Sequence, residues 1–314
     1  MENVTAQRVT EFTLTGSDHL PNQRLLGTLI LVTYLFILLG SSANICVVAS
    51  DRRLFTPMYI FICNLAAVDI TFTTSAGTTL IGLLLLGIRN ISYQECISRM
   101  FIYHMGDICL SLTLTLMAVD RVVAISSPLH YHSILTNGRT LALIAFTWLL
   151  AIVIMGLLVR IVTSLPYCQP LLRYSFCDYA TLVRAACVDP EPYFIYTTIL
   201  VTWLISVHLP LILATYVKII YTVLRLSKNE SRKQMVNTCV SHVIVVTCYF
   251  LPKFIVILLT RVGVTLNLTE RNALLIVSTL IPSFMNPTVY CLRTKEIRTR
   301  LIKILTRNRV NAIK

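Results

Sequence analysis

The sequence predicts an all-α membrane protein, a seven-transmembrane helix bundle with a short amphipathic C-terminal helix. Three observations predict it. First, the 314 residues are 56% hydrophobic and only 13% charged, about half the charge of average protein usage. Second, seven apolar runs are each long enough to cross a hydrocarbon core of about 30 Å, which takes roughly 20 helical residues. Third, the formal net charge of +13 gathers on alternate connectors, the pattern that marks a cytoplasmic side.

The elements follow in order. Residues 1–24 form a polar outer segment, and its acidic start does not resemble a secretory leader. The first apolar run is longer than a signal h-region, so helix one is expected to insert without cleavage. The helices are expected at about 25–50, 57–88, 97–125, 139–163, 192–226, 232–261 and 270–292. Within lipid, helices satisfy their own backbone groups, and no strand alternation suggests a barrel. The second run is broken only by Asp69 and the third only by Asp107; the sixth continues past Lys253. Residues 25–292 thus make one transmembrane domain. The tail, residues 293–314, places Ile297, Leu301, Ile302 and Leu305 on one side of a basic helix, which reads as an element lying on the inner leaflet.

An odd number of spans puts the two ends on opposite sides. The connectors after helices one, three and five, with the tail, hold seventeen basic and four acidic residues; the other side holds ten and nine. The N-terminus is therefore placed outside and the C-terminus in the cytoplasm. The excess positive charge faces anionic lipid, and it does not form the basic stripe of a nucleic-acid binder. Asn3-Val-Thr5 is an outward glycosylation acceptor. Asn90-Ile-Ser92 and Asn267-Leu-Thr269 are weaker ones in short loops, and Asn229-Glu-Ser231 faces inward.

Six of the ten cysteines lie in helices or at their inner ends, as small apolar packing residues. Cys96, Cys168, Cys177 and Cys187 are all outer, which implies two disulfides. Spacing leaves three connectivities open. Cys96 tops helix three, so one bridge should tie the long loop, residues 164–191, down to that helix. A long structured loop of this kind is usually functional.

Five segments now read together: Leu54–Tyr59 (LFTPMY), Met117–Tyr131 (MAVDRVVAISSPLHY), Arg232–His242 (RKQMVNTCVSH), Pro282–Tyr290 (PSFMNPTVY) and Arg293–Arg298 (RTKEIR). With these segments, the chain resembles the olfactory (odorant) receptor family of rhodopsin-like G-protein-coupled receptors over essentially its whole length. Tyr249–Pro252 and the long outer loop resemble the fish-type, class I branch. The resemblance implies a plasma-membrane receptor in olfactory sensory cilia. It would take a small-molecule odorant outside and a stimulatory heterotrimeric G protein inside, raising cyclic AMP. It also implies the bridges Cys96–Cys177 and Cys168–Cys187. The alternative within the same fold is a non-olfactory receptor for a peptide or metabolite.

Asp120 and Arg121 form a charged pair at the inner end of helix three, cheap when closed and able to split. The resemblance implies that Arg121 meets the G protein when helix six swings out. Asp69 is an intramembrane carboxylate, by default a functional residue, with Asn44 and Asn286 as available partners; the resemblance implies a water or sodium site there. Asn286-Pro287-Thr288-Val289-Tyr290 puts a proline into helix seven and allows a kink. Phe250 stands where many rhodopsin-like receptors carry Trp.

The ligand site is expected in the outer half of the bundle. Tyr103, His104, Asp107 and Ile108 share one face of helix three. Tyr249, Lys253, Ile257 and Arg261 form a stripe at spacing four on helix six. Two cations on that stripe suggest an anion, and guanidinium suits a carboxylate through paired hydrogen bonds. Arg261 lies where some class I relatives place a carboxylate-binding arginine, as the resemblance implies. The plainer alternatives are an internal Lys253–Asp107 salt bridge and an Arg261 that snorkels to water.

No other class fits. An intramembrane aspartyl protease would need Gly-x-Gly-Asp, and His104-Met-Gly-Asp107 lacks the first glycine. A retinal protein would need a lysine in residues 272–292, where there is none. A transporter would show paired broken helices. An amine receptor would carry Asp where Tyr103 stands. His104 and Asp107 alone are too few for a metal site. Neither an enzyme nor a cofactor is expected, apart from sodium beside Asp69.

Overall fold

The computed structural model describes residues 9–303 except 17, 19–21, 226–229, 262–266 and 294–296; the side chains of 230–238, 256, 257, 260, 261, 292 and 293 also lie outside the description. The acceptor Asn3 therefore lies outside the described residues, as do the side chains of Ile257 and Arg261.

Seven long helices form the bundle: helix one Gln23–Ala49, two Pro57–Leu85, three Tyr93–Ser126, four Asn137–Ser164, five Glu191–Arg225, six Glu230–Arg261 and seven Leu268–Arg293. Among the described residues, six are long and apolar enough to cross a membrane, and helix six contributes the shorter apolar stretch Cys239–Ile255. Burial sorts them. In their most apolar windows helices two and three are 72% and 61% buried, against 22%, 22% and 17% for helices one, four and five. The central helices thus carry the polar residues, while Leu39 of helix one and Phe146, Val153 and Leu157 of helix four stay exposed on the lipid-facing side.

Local chemistry sets several helix ends. Helix three begins at Tyr93, before its apolar run, because Ser92 accepts a bond from the Glu95 amide at 3.2 Å. Helix seven starts on a reciprocal cap: Glu270 N–H donates to Asn267 Oδ1 at 2.8 Å and Asn267 N–H to Glu270 Oε2 at 3.0 Å. Pro57 opens helix two at its first turn, where its missing N–H is harmless. In helix five, Pro210 has no N–H to return to the Ser206 carbonyl, and Leu204–His208 widens into a π-turn.

The end of the bundle that the sequence reading places outside is sewn together by a small sheet that apolar patterning does not announce. Strand β1 (Glu11–Leu14) pairs antiparallel with β2 (Asn90–Ser92) and parallel with β3 (Leu171–Leu172), in the order β2-β1-β3. Phe12 is wholly buried, its ring 5.9 Å from Tyr93 and 5.4 Å from Tyr167. The disulfides are Cys96–Cys177 and Cys168–Cys187, with Cα separations of 5.4 and 5.3 Å. Residues 297–303 form a further helix; its Ile297 is fully buried and its Arg300 pairs with Asp51 of the first inner connector.

Candidate ligand site

The Cys96–Cys177 bridge draws the long loop over the top of helix three. Phe176 then packs on Tyr103 with ring centres 5.1 Å apart, and Tyr103 stacks on Phe72 at 4.9 Å. The Tyr103 hydroxyl shares a 3.0 Å bond with Thr279 of helix seven. His104 Nε2 lies 2.8 Å from Asp178 Oδ1, one residue past the bridge. Burial pushes the Asp178 carboxyl up, but the His104 imidazole and the amides of Ala180 and Tyr179 outweigh it and hold the group below its ordinary value. That carboxylate also caps the loop helix Tyr179–Ala185. Of the four candidate residues on helix three, Tyr103 and Ile108 are buried packing residues and His104 is held by the loop.

Asp107 has a different surrounding. Its carboxylate pairs with Lys253 of helix six, and Tyr249 Oη donates to Asp107 Oδ1 at 3.1 Å and to the Asp107 carbonyl at 3.0 Å. Lys253 Nζ donates to Tyr249 Oη at 2.9 Å and sits 4.1 Å from the ring centre. The pair is 20% and 19% exposed. Helix three packs against helices two, four, five and six, and Asp107 lies on its side toward helix six. This centre can exchange charge and hydrogen bonds with a small polar molecule. A separate cleft of about 650 Å³ lies between helices four and five, lined by Ile154, Arg160, Ser164, Tyr196 and Trp203 among others. Among the described residues, none of the candidate ligand side chains lines it.

Beneath this centre lies a polar column. Asn286 Nδ2 donates to both Asp69 oxygens at 2.9 Å, and the hydroxyl of Ser283, one turn earlier on helix seven, is buried without a hydrogen-bond partner among the described residues. Asn44 is buried but turned elsewhere, its Oδ1 accepting from Cys291 Sγ at 3.0 Å. Asn286 Oδ1 is buried without a hydrogen-bond partner among the described residues. Phe250 packs edge-on to Tyr249 at 4.8 Å. A Cβ on Gly40 of helix one would lie 2.8 Å from Pro287, so the two helices touch at that proline.

At the inner end, Arg121 NH2 is 2.8 Å from Asp120 Oδ2, and Tyr131 donates to Asp120 Oδ1 at 2.6 Å. Burial, then the neighbouring Asp120 charge, raises the Tyr131 phenol above its ordinary value, so it stays a donor. Tyr216 of helix five bonds His242 Nδ1 at 2.5 Å, and His242 Nε2 lies 3.1 Å from the Leu114 carbonyl. Tyr290 is buried, its hydroxyl unpartnered among the described residues. Ser283, Tyr131 and the Tyr216–His242 contact are additions to the sequence reading. Ser283, Tyr131 and His242 each sit inside a motif quoted above, which was the available signal.

A seven-helix membrane bundle with a roofed polar centre at one end and a charged pair at the other defines a rhodopsin-like receptor architecture. The olfactory receptor family model matches residues 30–308. Human "Olfactory receptor 11A1" is 33% identical, covering 95% of this chain and 95% of its own length. Human "Olfactory receptor 10G7" is 34% identical, covering 97% of each, and human "Olfactory receptor 52I2" is 32% identical over 95% of this chain and 86% of its own. The chain belongs to the olfactory receptor family, whose members are multi-pass signalling proteins and not enzymes.

Proposed function

We propose that this chain is an odorant receptor for a small polar or acidic molecule, held in the outer half of the bundle, that activates a stimulatory heterotrimeric G protein and raises cyclic AMP. The observation that carries the ligand class is the Asp107–Lys253–Tyr249 centre, where three polar side chains meet between helices three and six. Arg261, two turns outward of Lys253, is the second anion contact in this reading. The receptor lies in the plasma membrane of olfactory cilia, N-terminus outside. Sodium fits beside Asp69: the carboxylate, the Ser283 hydroxyl and the unpartnered Asn286 Oδ1 are the hard oxygen donors such a cation takes. A bound cation there would neutralise the carboxylate.

The test is a cyclic AMP screen in cells expressing the receptor, across amino acids, short acids, amines and neutral odorants. The expected result is a response led by polar or acidic molecules. Arg261→Ala should abolish responses to acids while leaving surface expression intact. A response confined to peptides, or acid responses unchanged in Arg261→Ala, overturns the reading.

A further inference from the structure

Asp107 and Lys253 neutralise each other across the space between helices three and six. An arriving carboxylic acid that draws Lys253 away strands Asp107, and an arriving amine that takes Asp107 strands Lys253. Removing one partner of a buried pair is far more unfavourable than removing both, because it leaves an uncompensated charge. The other paired charges of helix three's outer half are already engaged: His104 with Asp178, and Arg99 with Glu95. At Lys253 or Asp107, a molecule with a single charge therefore forms one ion pair by breaking another.

A molecule carrying both charges avoids this. Its carboxylate takes Lys253 and its ammonium takes Asp107, so two ion pairs replace one and neither protein charge is stranded. Tyr249 can follow either partner, since its hydroxyl donates to Asp107 and accepts from Lys253. Lys253 directly follows Pro252, where helix six lacks a backbone donor. Separating the pair therefore acts on helix six next to this missing backbone bond.

We propose that the Asp107–Lys253 pair makes this site selective for zwitterions, small molecules bearing both a carboxylate and an ammonium group. The inference rests on the outer-bundle ligand site above and narrows its ligand class.

The test reads binding directly, by thermal shift of the purified full-length receptor in detergent. The probes are ω-amino acids from glycine to 6-aminohexanoate, each with its matched acid and amine. At least one ω-amino acid should bind about tenfold more tightly than both matches, ~1.4 kcal/mol. Lys253→Met should favour the amine by about tenfold and Asp107→Asn the acid, each at the expense of the zwitterion. Should either single variant fail to fold, Asp107→Asn/Lys253→Met removes both charges together and should bind all three matched probes alike. The proposal is overturned if no ω-amino acid outbinds its matches in the wild type, if the single variants move all probes in one direction, or if the double variant keeps the zwitterion preference. A receptor that binds as expected yet gives no cyclic AMP would sink the signalling reading and leave this one standing.

Discussion

Tyr131 shows how one side chain can hold an ion pair in place. Asp120 and Arg121 are adjacent in sequence, so their ion pair alone cannot tie helix three to anything else. Tyr131 reaches Asp120 from the second inner connector and bonds the oxygen that Arg121 leaves open. With the phenol's ionisation pushed upward by burial, this bond persists across physiological pH. Tyr131→Phe removes one hydrogen bond to a charged acceptor and keeps the ring. A loss of about 1 kcal/mol of bias toward the closed state would raise ligand-independent cyclic AMP about fivefold at unchanged surface expression. A basal signal equal to wild type would show that Tyr131 does not hold the pair. The sequence placed Asp120 and Arg121 at a membrane boundary, but the partner that fixes Asp120 depends on how the connector folds back. At the outer site, residue patterning put Asp107 and Lys253 at facing depths without deciding between a mutual pair and two ligand contacts. The structure joins them, and their one-fifth exposure leaves a surface for exchange.

At the scale of elements, hydropathy was enough for the seven helices, because lipid leaves the backbone few alternatives. It said nothing of the outer sheet, whose strands are two to four residues long and come from three segments far apart in sequence. Part of that pairing depends on the disulfide-tethered loop, which supplies β3. The π-turn in helix five has a local cause in Pro210, but its placement also reflects His208, which is buried and bonds Thr115 of helix three at 2.9 Å. The seam between the N-terminal segment and the loop depends on Gly16. A Cβ there would fall 2.3 Å from the Tyr174 carbonyl carbon and 2.4 Å from the Ser175 nitrogen. Asn272 of helix seven clasps both sides, donating to the Gly16 carbonyl and accepting from the Ser175 amide, each at 3.3 Å. Gly16→Ala should therefore destabilise the outer face by about 1–3 kcal/mol, as overpacking does. The expected readout is a melting temperature several degrees lower in the purified receptor. Gly138→Ala is the control, since nothing lies within 4 Å of its added Cβ. Equal melting temperatures for the two variants would show that the strand is not seated against the loop.

For the whole molecule, the net charge of +13 becomes informative once it is divided between the two sides. The structure supplies the division: the ends of helices two and four that lead into the sheet and the long loop are opposite the ends that carry Arg121, Arg139 and the start of the tail. The proposed orientation puts that second, basic side in the cytoplasm, where anionic lipid attracts it. It also puts all four bridged cysteines in one oxidising compartment, a constraint independent of the charge count. Glycosylation can test it, because acceptor sites are modified only on the outer side. Wild-type receptor from mammalian cells should lose apparent mass on N-glycan removal, and Asn3→Gln should abolish most of that shift. An acceptor appended after Lys314 should remain unmodified, as should Asn229. Of the other outward acceptors, Asn90 and Asn267 have their amide oxygens engaged, one by Thr13 and one by the helix-seven cap. Asn3 precedes β1 in sequence and belongs to none of its paired residues. Modification at the tail with none at Asn3 would invert the molecule, put the disulfides in a reducing compartment and turn the charge argument against itself.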